Sequence, residues 1–286
     1  MAARVWLTLI AVDELRDRLA SPDVVVVDCR FDLAVPAAGE LVYDQAHLPG
    51  AVYAHLERDL SGPRSPGSGR HPLPAAAELV ARLAAWGIGA ETQVVAYDAG
   101  PGSFAARLWW LLRWLGHSRV AVLDGGLAAW STAGYTLSRE CPSPDPAELE
   151  LAPDPASTVT AEFLVGNLEH RRALVVDARA EARFQGEVEP IDRVAGHVPG
   201  ARNVPFEHNL GADGRFLEAP ALRRAWATWL GEWPPASVIH MCGSGVTACH
   251  NLLAMEHAGL QGSRLYPGSW SEWIGDPSRP VTRGED

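Results

Sequence analysis

The sequence contains no lysine. All 24 of its basic residues are arginine, which excludes Schiff-base chemistry on the chain, because that chemistry needs a side-chain amine. Positive charge is scarce as well. Thirty-five acidic residues leave a formal net charge of -11, and so negative a chain repels nucleic acid and anionic membrane surfaces. Cysteine is sparse: Cys29, Cys141, Cys242 and Cys249 form no C-x-x-C pair and no His-Cys cluster at zinc spacing. That argues against a disulfide framework or a structural metal, and suits a reducing cytoplasm. No apolar run approaches the roughly 18 residues that a membrane span needs. The stretch Val5 to Val12 is short and runs into Asp13-Glu14-Leu15-Arg16 without a small-residue cleavage site. It reads as a strand entering a helix, not as a signal peptide.

What remains is the composition of a globular protein. The 286 residues are 47% hydrophobic and 8% aromatic, and at roughly 100 to 200 residues per domain that length suits two domains. A self-comparison supports this, because four segments recur in the same order. Val24 to Val27 followed by Asp28-Cys29-Arg30 matches Leu174 to Val176 followed by Asp177-Ala178-Arg179. Ala46-His47-Leu48-Pro49-Gly50 matches Gly196-His197-Val198-Pro199-Gly200. Val94 to Asp98 matches Val238 to Cys242, and Leu123-Asp124-Gly125-Gly126 before Trp130 matches Tyr266-Pro267-Gly268-Ser269 before Trp273. The spacing shifts by a few residues between the second and third matches, and the Gly/Pro/Ser-rich stretch Ser61 to Pro74 holds the extra length of the first copy.

The proline-dense stretch between the copies, from Cys141 to Pro155, can continue neither a helix nor a central strand and reads as a semi-rigid linker. It divides the chain into residues 1–138, a linker over 139–157, and residues 158–286. Within each part, short valine-rich runs without polar alternation alternate with helical-period stretches: Ala75 to Trp86, Ala105 to Leu115, Ala219 to Leu230 and Thr247 to Ala258. That pattern predicts an α/β fold in which each domain is a parallel sheet with helices on both faces.

The copies differ where chemistry is expected. Asp98 and Cys242 occupy equivalent strand ends, and open α/β sheets place ligand sites at the carboxyl ends of strands. After Cys242 the loop Gly243-Ser244-Gly245-Val246-Thr247 opens onto a helix, so its N–H groups and the helix dipole form an anion nest. Such surroundings lower a thiol pKa from about 8.5 toward roughly 3.5–7.5, which makes Cys242 a candidate nucleophile. Cys29, Cys141 and Cys249 read as small hydrophobes. His240 reads as a core residue. Trp109, Trp110 and Trp114 sit at helical spacing with leucines and also read as core, while Trp270 and Trp273 follow the Gly268 turn toward the mouth of the site.

In these motifs the chain resembles the tandem-domain sulfurtransferases of the rhodanese family. Its loop from Cys242 to Thr247 is similar to that of the 3-mercaptopyruvate branch, and Gly268-Ser269-Trp270-Ser271-Glu272-Trp273 adds to the match. The resemblance implies two rhodanese-like domains, the first lacking the catalytic cysteine. It implies a persulfide on Cys242 that passes sulfur to cyanide, a small thiol or thioredoxin, without metal or organic cofactor. The loop residues Gly243, Gly245, Val246 and Thr247 then line the substrate site, and Arg183 binds the donor's carboxylate. A second arginine of the family falls near Ile191, which leaves Arg193 as its displaced replacement. The branch also pairs the loop serine, here Ser244, with a histidine and an aspartate. His47 matches the histidine, with Asp44 or Glu40 left as its acid, and the other reading of His47 is a turn histidine like His197. Gly243 and Ser244 are neutral, which favours mercaptopyruvate over the dianion thiosulfate. Two domains in one chain make a monomer sufficient.

Other classes fit less well. A cysteine phosphatase needs an arginine six residues past the nucleophile to hold phosphoryl oxygens, and that position is Ala248. A dinucleotide enzyme needs G-x-G-x-x-G after its first strand, where Asp28-Cys29-Arg30 and Asp177-Ala178-Arg179 stand instead. A non-catalytic binding module requires Cys242 to be inert.

Overall fold

Valine-rich parallel strands form the centre of each half. The computed structural model of the chain describes residues 4–284. They divide into two units, one built from the chain up to residue 62 with residues 74–154 and 212–216, the other from residues 63–73 and 155–211 and from 217 onward. Residues 63–73, the length that distinguishes the first copy, therefore belong with the second copy's fold.

The first unit runs β1 (Leu9–Ile10), α1 (Val12–Arg18), β2 (Val24–Asp28), α2 (Ala38–Gln45), β3 (Val52–Tyr53), α3 (Ala76–Ala85), β4 (Gln93–Tyr97), α4 (Ala105–Trp114), β5 (Val120–Leu123) and α5 (Gly126–Thr132). Its strands lie in the order β1-β5-β4-β2-β3, all parallel, with Val25 beside Val94 and Val27 beside Ala96. The second unit runs α6 (Ala161–His170), β6 (Leu174–Asp177), α7 (Glu181–Gln185), β7 (Arg202–Asn203), α8 (Ala219–Leu230), β8 (Val238–Met241), α9 (Ala248–His257), β9 (Arg264–Leu265) and α10 (Ser269–Trp273). The order β7-β6-β8-β9 is again parallel, and a single parallel bridge from Thr158 to Leu265 stands where β1 joins β5 in the first unit.

β4, β6 and β8 are buried along their whole length, as strands covered on both faces must be, which is why they carry apolar runs rather than alternation. Two covering helices bury one stripe each, Leu79 and Leu83 on α3 and Leu222, Trp226 and Leu230 on α8, at the spacing of a helical face, whereas α4 and α9 are buried nearly all round. The first core gathers Ile10, Leu15, Val95, Tyr97, Leu123 and Trp130, the second Leu164, Val175, Ile239, Met241, Trp270 and Trp273. Residues 139–154 are tied along the first unit, where Ala147 N–H donates to Ala84 and Asp154 N–H to Trp114. No helix among the described residues is long and apolar enough to cross a membrane.

The repeated motifs have a shared physical task. Arg30 donates to the Asp28 carboxylate at 2.6–3.0 Å and to the Ala46 carbonyl at 2.7 Å. Arg179 does the same with Asp177 at 2.7–3.1 Å and with the Gly196 carbonyl at 2.8 Å. A buried guanidinium fork thus ties the end of the first long strand to the chain entering each His-Leu/Val-Pro-Gly turn. The turn histidines are matched as well: His47 Nδ1 meets the Tyr43 carbonyl at 2.7 Å and its ring stacks on Tyr43, while His197 Nδ1 meets the Phe184 carbonyl at 2.8 Å and stacks on Phe184.

Removing one partner of a buried ion pair leaves the other charge uncompensated. Arg30→Met is expected to lower stability by about 3–5 kcal/mol, read as an earlier urea transition. A loss below about 1 kcal/mol, the level of an exposed pair, would show that the fork is dispensable.

Candidate active site

β6 and β8 end side by side at Asp177 and Met241, and Cys242 follows at the carboxyl edge of the sheet. Residues 242–247 make the turn into α9. Gly245 has φ 77° and a Cβ there would collide with the Pro267 carbonyl, so only glycine fits. In that conformation its N–H donates to Cys242 Sγ at 3.2 Å. The loop is clamped from the other side by the start of α10: Cys242 N–H donates to Ser269 Oγ at 3.1 Å, Trp270 N–H to the Cys242 carbonyl at 3.0 Å and Ser271 N–H to the Gly243 carbonyl at 2.9 Å. Ser269 takes a φ of 53° to do this, a conformation few non-glycine residues adopt. Within the loop Val246 is buried, and Thr247 stands at the N-terminal boundary of α9 without a side-chain capping bond; the first turn of α9 carries no acidic residue. Cys242 is 2% exposed and Ser244 5%.

The other cysteines separate cleanly. Cys249 donates its thiol to the Gly245 carbonyl at 3.3 Å and braces the loop. Burial pushes the Cys29 thiol well above its usual value. Cys141 is exposed. His240 is fully buried, its Nε2 3.1 Å from Met255 Sδ, and burial lowers its pKa to about 3, so it stays neutral.

Ser244 Oγ lies 2.7 Å from a histidine, and that histidine is His71. It comes from residues 63–73, which α10 and Arg64 hold in place: Arg70 N–H donates to Ser271 Oγ at 3.0 Å, and the Arg64 guanidinium donates to the Arg70 carbonyl at 2.9 Å. The expectation that His47 pairs with Ser244 is corrected here. Both ring nitrogens of His47 face carbonyl oxygens of the first unit, those of Tyr43 and Glu140 at 2.7 and 3.1 Å, and its supposed acid Glu40 pairs with Arg58. His47 is the turn histidine of its own motif.

The arginines are corrected in the same way. Arg183 stands at the loop, its guanidinium nitrogens 3.6 Å from where a Cβ on Gly243 would be. Glu189 accepts from it at 2.7–3.2 Å. Burial acts to raise the pKa of Glu189, but the bonds from Arg183 and from the N–H groups of Asp192 and Ile191 outweigh it and hold the carboxyl below its usual value. Arg193 does not join Arg183, because its guanidinium donates to the Ile274 and Gly275 carbonyls at 2.6 and 3.5 Å. Ile191 is largely exposed. The second cation at Gly243 is Arg70, 2.8 Å from the same Cβ position and ion-paired to Asp192.

The motif comparison singles out neither Arg70 nor His71, since their segment has no counterpart in the other copy. The available signal is its length: structureless loops beyond about 12 residues inside a compact domain are uncommon and mark either a functional segment or a linker. Trp270 and Trp273 are fully buried, yet Trp270 both lines the core and touches the Cys242 carbonyl, with the Arg179 guanidinium 4.7 Å over its ring. In the first unit the Asp98 carboxylate accepts from the N–H groups of Gly100, Gly102, Phe104 and Ala105 at 2.9–3.3 Å. The protein's own anion fills that nest.

Comparison with known proteins agrees with this geometry. Residues 11–133 and 160–276 each match the rhodanese-like domain family. A Pseudomonas aeruginosa protein named "Probable 3-mercaptopyruvate sulfurtransferase" is 51% identical over 97% of this chain and 98% of its own. The thiosulfate sulfurtransferase of Cricetulus griseus is 33% identical over 96% of this chain and 93% of its own. The structure of 3-mercaptopyruvate sulfurtransferase from Leishmania major superposes with a TM-score of 0.83 at 33% identity, covering 96% of this chain and 75% of that one. With a cysteine in the nest of the second copy and an aspartate in that of the first, the chain belongs to the rhodanese family, as a tandem-domain sulfurtransferase.

Proposed function

We propose that the chain moves a sulfane sulfur from 3-mercaptopyruvate, through a persulfide on Cys242, to cyanide, a small thiol or thioredoxin. The observation that carries this reading is the Cys242 sulfur at a strand end, held by the Gly245 N–H at 3.2 Å beside a Ser244–His71 pair at 2.7 Å. In the first half-reaction the Cys242 thiolate attacks the donor's thiol sulfur. An S–S bond forms, the C–S bond breaks and its electron pair stays on carbon as the enolate of pyruvate, which takes up the proton that the donor's thiol gave up. The persulfide anion rests in the nest that held the thiolate. In the second half-reaction cyanide or a thiolate takes the outer sulfur and the Cys242 thiolate returns.

The leaving enolate gathers charge on its oxygen. Ser244, with His71 behind it, is placed to donate a hydrogen bond there, so His71 acts as a positioning residue and proton reservoir. The donor preference follows from charge. Arg70 and Arg183 stand at the loop with Glu189 and Asp192 paired to them, so this cluster is neutral overall and suits a monoanionic carboxylate better than dianionic thiosulfate.

Two experiments test the reading. Intact-mass spectrometry, in a Cys141→Ser background that removes the exposed thiol, is expected to show one added sulfur after incubation with mercaptopyruvate and none in Cys242→Ser. Sulfur gained from thiosulfate alone would reverse the donor assignment, and no gain from either would leave a binding module. In steady-state assays, Ser244→Ala and His71→Ala are expected to lower kcat by about 10²–10⁴-fold, the usual range for general acid–base groups, while His47→Ala keeps kcat and loses thermal stability instead. The opposite pattern would restore His47 to the site.

A further inference from the structure

A carboxylate of the protein lies between two guanidiniums at the Cys242 loop. Asp192 accepts from Arg70 through one oxygen and from Arg183 through the other, the latter at 3.2 Å. Its side chain is 6% exposed. Arg183 has a second partner in Glu189, which grips it from the other side, and the backbone of Arg70 is tied to Ser271 and Arg64 independently of its guanidinium. Both guanidiniums reach the loop at Gly243, where any Cβ would sit within 2.8 Å of Arg70. Arg70 and Asp192 also line an open groove of about 460 Å³ together with Arg193 and Ser271, so the buried bridge has a way out to solvent. Burial raises the Asp192 carboxyl above its usual value, opposed by Arg70, so its charged form is the costlier one to keep there.

We infer that Asp192 occupies, in the donor-free protein, the place that the donor's carboxylate takes between Arg70 and Arg183, and that Arg70 is the second cation of the donor site. The inference deepens the mercaptopyruvate reading and rests on it for the donor's identity. A 2-oxo acid's carboxylate can bridge the same two guanidiniums with one oxygen each. When it displaces Asp192 into the groove, neither cation is left unpaired, and the released carboxylate meets water.

The test compares alkylation of Cys242 by iodoacetate and by its neutral isostere iodoacetamide in the full chain, read by peptide mass in the Cys141→Ser background, alongside kinetics with mercaptopyruvate. Arg70→Met is expected to slow iodoacetate about tenfold or more while iodoacetamide is unchanged, and to raise KM for mercaptopyruvate by a similar factor with kcat within about threefold, as loss of one charged contact to a bound carboxylate would do. Arg70→Lys recovers part of both effects. Asp192→Asn, which removes the competing anion, raises the iodoacetate-to-iodoacetamide ratio and lowers KM. Equal slowing of both reagents in Arg70→Met would mean a structural role and overturn the inference, as would a ratio unmoved by all three substitutions or a KM raised in Asp192→Asn. If the wild type takes no sulfur from mercaptopyruvate yet the alkylation pattern holds, the carboxylate site stands and the donor reading alone falls.

Discussion

The active half depends on one buried run of alternating charge. Asp177 holds Arg179, Arg179 reaches Glu189 at 3.4 Å, Glu189 holds Arg183, Arg183 touches Asp192, and Asp192 pairs with Arg70. Each charge is largely out of water, where an unpaired ion would cost several kcal/mol, so each member fixes the next. The run starts at the end of β6 and finishes at Gly243, linking the sheet edge to the loop that carries the nucleophile. Arg179 also covers the Trp270 ring, and Trp270 N–H holds the Cys242 carbonyl. Such a network needs planar forks that bond two oxygens at once, which arginine supplies and lysine does not.

The two halves show what the scaffold does apart from the chemistry. Each has the Asp-x-Arg fork, the stacked turn histidine and a strand ending in a nest of N–H groups. In the first half the nest closes on Asp98, whose carboxyl burial raises against the pull of four N–H groups. In the second it closes on a sulfur that can leave the nest with an added atom. The same backbone device is structural where it holds a fixed carboxylate and faces chemistry where it holds a cysteine sulfur.

The duplicated motifs were legible because each is local or nearly so: valine runs, Asp-x-Arg, His-x-Pro-Gly and the Cys242 loop all take their form from neighbours in sequence. The family resemblance set His47 beside Ser244, whereas the comparison of the copies held the reading that stands: His47 and His197 carry the same motif, and the motif belongs to the turn. Ser244 finds its partner in His71, and Gly243 its second cation in Arg70, from a segment that has no counterpart in the other copy. Arg193 sits close to the expected place in sequence, yet the carbonyls closing α10 capture its guanidinium.

Residue order alone carries the two parallel sheets, the duplication and the Cys242 loop, because strand burial, helix periodicity and glycine-dependent turns are short-range consequences of residue type. The partners of that loop were decided only in the tertiary structure. Residues 63–73 fold into the second unit, bringing Arg70 and His71 to Asp192 and Ser244. A charge or a histidine acquires its role from whichever buried partner it meets, and that meeting is a property of the packed chain.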